Sequence, residues 1–588
     1  MLRIVFGFFA VLGLVVVLAA AGLGFLVWKL AANEPTLPRN MILTADLTRG
    51  LADGPSEDTL SRLVLGSHRT LRDVLDALER AGDDTRVKGV YVRLGDDAFG
   101  VAKSQELRDA IRALRDKGKF AIAFADSFGE LGAGTRPYYL ATAFDEIWLQ
   151  PFGMVGLTGL YTEIPFFRRT LDRLGIAAEF AHRREYKSAA NSLTETEMTP
   201  PQREETEALL GSVGGQLVRG IAEARKLGED EVRSLMDRGP FLADEAKDAK
   251  LVDHIGYRDE AVARARERAG SGAELVRLSH YLDVAGHPHK SGAKIALIYS
   301  TGVIRRDGGA ESPLAGERET NAQTLGRAFR DAFRDAEVRA ILFRIDSPGG
   351  SATASETIWR EVVRARERGK PVIVSMGDVA ASGGYYIAAP ADKIVAQPAT
   401  ITGSIGVVAG KIVVAGLLEK LGVTVDAAQR GANAGMFSAM RDFSPQAKQR
   451  LDASLDSIYA GFKAHVAEGR RMSDEAVEAV ARGRVWSGEE AKAKGLVDEL
   501  GGYATALKLA REAAKIPDGA PVNLVVFPKE KSTLDVLFER LAGEDGETAQ
   551  SNGVSRGAAL LVSLLARLDV LTGANPDTLR MPDLGDIR

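Results

Sequence analysis

The sequence of 588 residues contains no cysteine. Disulfide bonds, thiolate zinc sites, iron–sulfur clusters and a cysteine nucleophile are therefore excluded. An excess of charge of either sign is also missing, because 76 Lys and Arg stand against 80 Asp and Glu. A general nucleic-acid binder is usually strongly basic, so we expect no nucleic acid partner. Aromatic residues are few, at 6%, but hydrophobic residues make up 45% of the chain, which excludes a low-complexity disordered protein.

A long hydrophobic run lies at the amino terminus. Ile4 to Trp28 is a stretch of 25 uncharged residues between Arg3 and Lys29, longer than the roughly 20 residues that a helix needs to cross a membrane. The small residues Ala19–Ala21 leave a cleaved signal peptide open as an alternative. However, the apolar core of a signal peptide is usually only about 7–15 residues long. We therefore predict an uncleaved transmembrane anchor over residues 1–29.

The rest of the chain contains the same pattern twice. Three pairs of segments match in the same order, at offsets of 251, 247 and 245 residues: Val87–Leu94 with Val338–Ile345, Tyr138–Ile147 with Tyr385–Ile394, and Glu245–Asp253 with Glu490–Asp498. A nearly constant offset indicates a tandem duplication with small insertions.

Each copy alternates strand-like and helix-like segments. In the second copy the apolar run Ala340–Ile345 precedes a charged helical segment, Ile358–Arg368, which leads to another apolar run, Val372–Ser375. Such alternation predicts βαβ units and an α/β fold with largely parallel sheets. We place the first repeat at 38–268, a linker at 269–292 and the second repeat at 293–526. The tail, 527–588, includes a short amphipathic helix predicted over 558–571.

The two copies differ at a turn that follows a strand. The second copy has Asp346-Ser-Pro-Gly-Gly350, where the first has Gly95-Asp-Asp-Ala-Phe-Gly100. A Pro-Gly-Gly turn can present backbone N–H groups to a developing oxyanion. An ordinary tight turn would use the same residues, so both interpretations stay open at this point.

The second difference is a serine at the start of a helix. Ser382 lies between a strand and an apolar helix that begins near Gly383, and the first copy has Thr135 there. A serine in this position is often only a helix cap. A helix start also offers N–H donors and the positive end of the helix dipole, which suit a nucleophile whose product is an oxyanion.

The third difference is a lysine that only the first copy carries. Lys187 aligns with Ala432 or Ala434 of the second copy. A serine nucleophile needs a base, but no histidine lies within 80 residues after Ser382, and His182 is the one histidine near a region of interest. A lysine serves if burial lowers its pKa.

A Ser–Lys dyad is thus one hypothesis, with Ser404 as a hydroxyl that holds the lysine. In the alternative, the lysine is a solvated surface charge and Ser404 is a turn residue.

These segments together resemble the long form of bacterial signal peptide peptidase, or protease IV. The resemblance rests on the anchor, the duplication, the Asp-Ser-Pro-Gly-Gly turn, Ala381-Ser-Gly-Gly-Tyr-Tyr386 and Tyr186-Lys-Ser-Ala189. It implies two tandem domains similar to Clp protease subunits and crotonases. It further implies Ser382 as nucleophile, Lys187 as general base and Ser404 as the residue that orients the lysine.

The same resemblance implies an oxyanion hole formed by the backbone N–H groups of Gly350 and Gly383, with Gly349 shaping the turn. It implies no cofactor or metal, hydrophobic signal-peptide remnants as substrates, and a homotetramer. The catalytic body would face the extracytoplasmic side of the bacterial inner membrane.

Two rival functions remain from the sequence. One is an acyl-CoA hydratase or isomerase that uses carboxylates, and the other is a non-enzymatic membrane scaffold. The complementary distribution of Ser382 and Lys187 between the repeats favours the peptidase.

Overall fold

The computed structural model describes residues 36–54, 70–96, 99–306, 319–528 and 578–581. The predicted anchor at 1–29 and the predicted amphipathic helix at 558–571 lie outside these residues. Among the helices within the described ranges, none combines the length and the apolar character required to span a membrane.

The first repeat alternates strands and helices from its start. Its elements in chain order are β1 (Met41–Leu47), α1 (Leu71–Asp83), β2 (Val87–Leu94), α2 (Val101–Asp116), β3 (Phe120–Ala125), α3 (Thr135–Ala141), β4 (Glu146–Leu149), β5 (Met154–Val155), α4 (Arg168–Leu174), β6 (Ala177–His182), α5 (Asn191–Thr194), α6 (Pro200–Arg225), α7 (Glu229–Arg238), β7 (Phe241–Leu242), α8 (Ala243–Asp248), β8 (His254–Ile255), α9 (Arg258–Ala269), β9 (Glu274–Arg277) and α10 (Leu278–Ala285).

The second repeat follows the same scheme. Its elements are β10 (Ala293–Thr301), β11 (Val303–Arg305), β12 (Glu319–Asn321), α11 (Ala322–Arg334), β13 (Val338–Ser347), β14 (Gly349–Ser351), α12 (Ala352–Glu367), β15 (Val372–Ala381), α13 (Gly383–Ala388), β16 (Lys393–Ala396), β17 (Ile401–Gly403), β18 (Val408–Val413), α14 (Ala415–Lys420), α15 (Pro445–Arg470), α16 (Asp474–Val480), β19 (Val485–Ser487), α17 (Gly488–Ala493), β20 (Glu499–Leu500), α18 (Tyr503–Ala513) and β21 (Val522–Phe527), and β22 (Thr578–Arg580) lies in the tail.

Each repeat is built on a sheet of mainly parallel strands. In the first repeat the strand order is β8-β4-β3-β2-β1-β9, and every pairing is parallel. In the second the order is β19-β17-β15-β13-β10-β21, with β16 between β15 and β20, and only β17 and β19 run antiparallel. The apolar strands are buried on both faces, as parallel strands covered by helices usually are. The predicted α/β class with parallel sheets is confirmed.

The duplication extends to individual tertiary contacts. The hydroxyl of Tyr138 donates to the carbonyl of Leu251 at 2.8 Å, and that of Tyr385 donates to the carbonyl of Leu496 at 2.9 Å. Helices α6 and α15 each contain 26 residues and begin with proline after a hydroxyl N-cap. The repeats therefore share a tertiary scaffold as well as an order of elements.

The region predicted as a linker contains regular structure. β9 pairs with β1 at the edge of the first sheet, and α10 follows it directly. The first repeat thus extends to Ala285, beyond the predicted boundary at 268. A strand of four residues is too short for an alternating pattern to be recognised, and the Gly270-Ser-Gly272 segment before it suggested a linker.

The two repeats dock against each other along one face. β6 of the first repeat and β18 of the second form an antiparallel ladder of six residue pairs. Helix α6 also packs on β19, and α2 packs on β15. This docking brings the loop after β6, in the first repeat, to the end of β15 in the second.

Candidate active site

Ser382 lies between β15 and α13 in a strained backbone conformation. Its φ is +54° and its ψ is −116°, a region that L-residues other than glycine rarely adopt. Such strain is concentrated at functional sites. Ser382 immediately precedes the first helical residue, but within the described structure its hydroxyl makes no capping hydrogen bond. The interpretation of this side chain as only a helix cap is therefore wrong.

Lys187 reaches this serine from the first repeat. Its side chain is fully buried, so the interpretation as a solvated surface charge is wrong. The Nζ atom lies 2.9 Å from the Oγ of Ser382 and 2.9 Å from the Oγ of Ser404, and it donates to the carbonyl of Ser404 at 3.1 Å. The structure thus brings together the three side chains that the sequence prediction grouped.

The surroundings of Lys187 favour a neutral amine. Burial lowers the pKa of Lys187 to about 7, and the nearby carboxyl of Glu205 acts in the opposite direction. Near neutral pH, a large fraction of such an amine is unprotonated and available to accept a proton, whereas an ordinary lysine is almost entirely protonated.

Ser404 is held in place by the second repeat. It follows β17, has a φ of +50°, and donates its backbone N–H to the carbonyl of Arg484 at 2.7 Å. Both its hydroxyl and its carbonyl lie within hydrogen-bond distance of the Nζ of Lys187, as the predicted orienting role requires.

Three glycines stand next to Ser382 in close contact. A Cβ on Gly383 would lie 3.1 Å from the N of Gly350 and from the Cα of Gly349. A Cβ on Gly350 would lie 2.0 Å from the carbonyl oxygen of Ile304, and Gly349 has a φ of +98°. Only glycine fits at positions 349 and 350, and a side chain at position 383 would crowd the turn. The backbone amides predicted to bind the oxyanion are therefore neighbours in space.

The carboxyl-terminal segment pairs with the same turn. β22 runs antiparallel to β14, with Leu579 opposite Gly350, and the backbone N–H of Met581 donates to the carbonyl of Pro348 at 2.8 Å. The sequence contained no signal for this pairing. An extended chain segment therefore fits along the strand that carries Gly350.

The corresponding positions of the first repeat have structural roles. Thr135, the counterpart of Ser382, accepts hydrogen bonds from the backbone N–H groups of Thr158 and Gly159 at 3.2 and 3.1 Å.

His182 lies exposed on β6, with its Nδ1 2.8 Å from the carbonyl of Arg184. The base nearest to Ser382 is thus Lys187 and not His182.

One buried carboxyl near Lys187 escaped the sequence analysis. Glu205 on α6 is 2% exposed, and its Oε1 accepts the backbone N–H of Val485 at 2.6 Å. Its Oε2 has no hydrogen-bond partner among the described residues. Burial raises the pKa of Glu205 to about 8. The signal was its place on the apolar face of α6, in line with Leu209 and Val213 at helical spacing.

The comparisons with known proteins bear on this geometry. Peptidase family S49 matches the chain over residues 113–271 and 364–517. A protein named Protease 4 from Salmonella typhi is 31% identical over 551 residues, which cover 90% of this chain and 86% of that protein. The chain belongs to peptidase family S49. The resemblance to the long form of signal peptide peptidase is confirmed.

Further relatives agree with the S49 assignment. Serine protease SPPA, chloroplastic, from Arabidopsis thaliana is 32% identical and covers 84% of this chain and 72% of its own length. A putative signal peptide peptidase SppA from Enterococcus faecium is 35% identical over 233 residues, which cover 40% of this chain and 67% of that protein. This S49 chain is a serine peptidase, so the hydratase and scaffold alternatives do not hold.

Proposed function

We propose that the chain is a membrane-anchored serine endopeptidase with a Ser382–Lys187 dyad. We further propose that it degrades hydrophobic signal-peptide remnants after signal peptidase has released them. The observation that carries the dyad is the position of the Lys187 Nζ, which lies 2.9 Å from the hydroxyls of both Ser382 and Ser404 in a fully buried site.

The geometry supports a two-step acyl transfer. The Oγ of Ser382 attacks the peptide carbonyl while the Nζ of Lys187 accepts the hydroxyl proton. The backbone N–H groups of Gly350 and Gly383 stabilise the negative charge on the tetrahedral intermediate. The lysine ammonium then protonates the leaving amine. Water then attacks the acyl-enzyme while the Nζ of Lys187 accepts one of its protons. The lysine ammonium returns this proton to the Oγ of Ser382 as the acyl–oxygen bond breaks, which releases the acid product and restores the free enzyme.

The substrate in this proposal is an extended apolar peptide. β14 accepts an antiparallel segment in the structure, because β22 of the tail pairs along it. A substrate that adds a strand at such an edge gains backbone hydrogen bonds that do not depend on sequence. The name of the Enterococcus faecium relative supports signal peptides as the substrate class.

The proposed location is the bacterial inner membrane, with the catalytic body on the extracytoplasmic side. Its support is the hydrophobic run Ile4–Trp28, which has the length of a membrane span. An anchor would keep the peptidase close to apolar peptides left in the bilayer.

We propose that the chain assembles as a homotetramer, and the duplication supports a head-to-tail assembly. Within one chain, β6 of the first repeat pairs with β18 of the second. The two repeats are offset by 245–247 residues in this region. The segment of the first repeat that corresponds to β18 is therefore 161–166, and the segment of the second repeat that corresponds to β6 is 422–429. Within the described part of the chain, neither of these two segments pairs with a strand, and Tyr161, Val423 and Val425 are exposed.

Residues 422–429 of one copy would therefore pair with residues 161–166 of the next copy, as β6 pairs with β18. Such a heterologous interface forms a closed ring when the rotation between copies closes. The number four comes from the family resemblance.

The dyad is tested by hydrolysis of a fluorogenic apolar peptide with detergent-solubilised full-length protein. Ser382→Ala and Lys187→Met are expected to reduce turnover to background, a loss of several orders of magnitude. Lys411→Met is the matched control. Lys411 is also buried, but it donates to the carbonyls of Met436, Ser438 and Arg441, away from the dyad.

Circular dichroism and gel filtration check folding and assembly of each variant. Near-normal turnover by a folded Lys187→Met variant rejects the dyad. The anchor is tested separately, because deletion of residues 1–29 should move the protein from the membrane fraction to the soluble fraction while peptide hydrolysis is retained.

A further inference from the structure

A second lysine of the first repeat lies against the catalytic strands of the second repeat. Lys103 is in the first turn of α2. Its Nζ lies 2.7 Å from Asp53, 2.8 Å from Asp346 and 3.4 Å from Asp378. Asp53 belongs to the same repeat as the lysine, and the other two carboxylates belong to the second repeat.

The two carboxylates of the second repeat occupy matched places. Asp346 lies at the end of β13, four residues before Gly350, which carries an oxyanion amide. Asp378 lies in β15, four residues before the nucleophile Ser382. Lys103 therefore joins the strand that leads to the oxyanion hole to the strand that leads to the nucleophile.

Further contacts fix the position of these carboxylates. Asp346 accepts the backbone N–H of Val379 at 3.0 Å, which ties β13 to β15. Asp378 accepts the backbone N–H of Lys103 at 2.9 Å, at the start of α2. A Cβ on Gly100 would lie 2.3 Å from an oxygen of Asp378, so the backbone of the first repeat is in close contact with this side chain.

The carboxyl groups around Lys103 favour its protonated, positively charged form. Among the described residues, the carboxyl groups of Asp53, Glu106, Asp346 and Asp378 form their ion pairs with Lys103 and Arg344. Burial lowers the pKa of Lys103, but the charges of Asp346 and Asp53 raise it above its ordinary value. Burial and the charge of Asp53 raise the pKa of Asp346 to about 7, so Asp346 depends on Lys103 to stay a carboxylate. Without this cation, Asp346 and Asp378 would lose the ion pairs that tie the two strand ends together.

The two repeats divide these residues just as they divide Ser382 and Lys187. At the repeat offset of 251, Lys103 corresponds to Ala354, and Asp346 corresponds to Gly95. The lysine is therefore present only in the copy that lacks the serine nucleophile, and it acts on the copy that has it.

We propose that Lys103 is a positioning residue that sets the spacing between the Ser382 nucleophile and the oxyanion-binding amide of Gly350. This inference rests on the proposed Ser–Lys function. The first repeat then contributes to the site twice, with Lys187 as the base and Lys103 as the group that holds the two catalytic strands in register.

The test compares Lys103→Met with Arg219→Met in the full-length protein. Arg219 also forms an ion pair between the repeats, with Glu489 at 2.9 Å, but both side chains are exposed. Lys103→Met is expected to lower kcat by about 10- to 100-fold with KM changed less than about twofold, the pattern of a lost transition-state interaction. Arg219→Met is expected to retain wild-type kcat.

A charge rescue separates positioning from general stability. Asp378→Asn still accepts the backbone N–H of residue 103 but removes one of the negative charges that Lys103 balances. The double variant Lys103→Met/Asp378→Asn is therefore expected to recover part of the lost kcat. Circular dichroism and gel filtration show whether Lys103→Met folds. If it does not, Asp378→Asn alone is the test variant. It is expected to lower kcat by less than the range given for Lys103→Met and to leave KM unchanged.

The rate of covalent labelling of Ser382 by a fluorophosphonate provides a second readout that does not depend on the choice of peptide. A folded Lys103→Met variant that labels and turns over at the wild-type rate overturns the inference and leaves the dyad intact. A rise in KM with unchanged kcat also overturns it. If wild type itself neither labels nor cleaves, the proposed dyad fails and the inference falls with it.

Discussion

The Nζ of Lys187 lies 2.9 Å from the Oγ of Ser382, although 195 residues separate the two in the chain. Each of the two repeats contains one of these residues and lacks the other. The proposed dyad is therefore complete only when the first repeat is docked on the second, and the contacts between the repeats contribute directly to the candidate site.

The activity should depend on pH through Lys187. Burial lowers the pKa of Lys187 to about 7. The base works only in its neutral form, so kcat/KM should rise with pH through about 7 and level off above it. An exposed lysine, with an ordinary pKa of about 10.4, would place this rise more than three units higher. Peptide hydrolysis measured from pH 5 to 10 distinguishes a buried lysine from an exposed one. A rise in kcat/KM centred above pH 9 would contradict a pKa of Lys187 lowered by burial.

Replacement of Glu205 by Gln should shift that pH profile slightly to lower pH. The ionised carboxylate of Glu205 raises the pKa of Lys187, but burial raises the pKa of Glu205 to about 8, so only a minority of these carboxyls is ionised near pH 7 and the expected shift is small. Glutamine still accepts the N–H of Val485. Glu204→Gln is the matched control, since Glu204 is exposed and pairs with Arg484. Equal shifts in both variants would show that the position of Glu205 has no special effect.

Gly350→Ala should abolish most of the activity. The added Cβ would lie 2.0 Å from the carbonyl oxygen of Ile304, so the turn would have to move and the oxyanion amide with it. Loss of one oxyanion donor lowers kcat by about 100-fold or more. Gly461→Ala is the control, because no atom lies within 4 Å of its Cβ position in α15. This control should retain activity and unfold at a slightly higher temperature, since alanine favours a helix. Wild-type kcat in Gly350→Ala would contradict the assignment.

Removal of the tail after Pro528 should increase kcat/KM for peptides. β22 pairs with β14 opposite Gly350, so the tail competes for the edge along which we propose that substrates bind. A synthetic peptide of residues 574–588 should inhibit the truncated protein when added in trans. An unchanged kcat/KM after truncation, together with no inhibition by the peptide, would show that the substrate binds elsewhere.

Val425→Pro should weaken the assembly of chains. Proline removes a backbone N–H that strand pairing needs, and Val425 is 55% exposed in the segment that corresponds to β6. Val425→Thr is the control, because it keeps both the N–H and the preference for a strand. Light scattering coupled to gel filtration should give a smaller mass for Val425→Pro alone. The same mass for all three proteins would argue against this interface.

Much of the architecture follows from local patterns in the sequence. The matched segments at nearly constant offsets predicted the duplication, and the alternation of apolar runs with helical stripes predicted the parallel α/β fold. The linker was predicted less well, because β9 is only four residues long and belongs to a sheet formed mostly by distant strands. Comparison of one copy with the other also singled out Ser382 and Lys187, since each is absent from the opposite repeat.

The sequence alone thus determined the α/β repeats, the chemical types of the candidate dyad and the glycine-rich turn beside it. The tertiary structure decided how close Ser382 and Lys187 lie and that the lysine side chain is buried. It also decided that Lys103 and Glu205 lie in the same region. The reason is physical. Residue identity sets the ordinary pKa and the available donors, but burial and neighbouring charges change them, and these are supplied by segments hundreds of residues away.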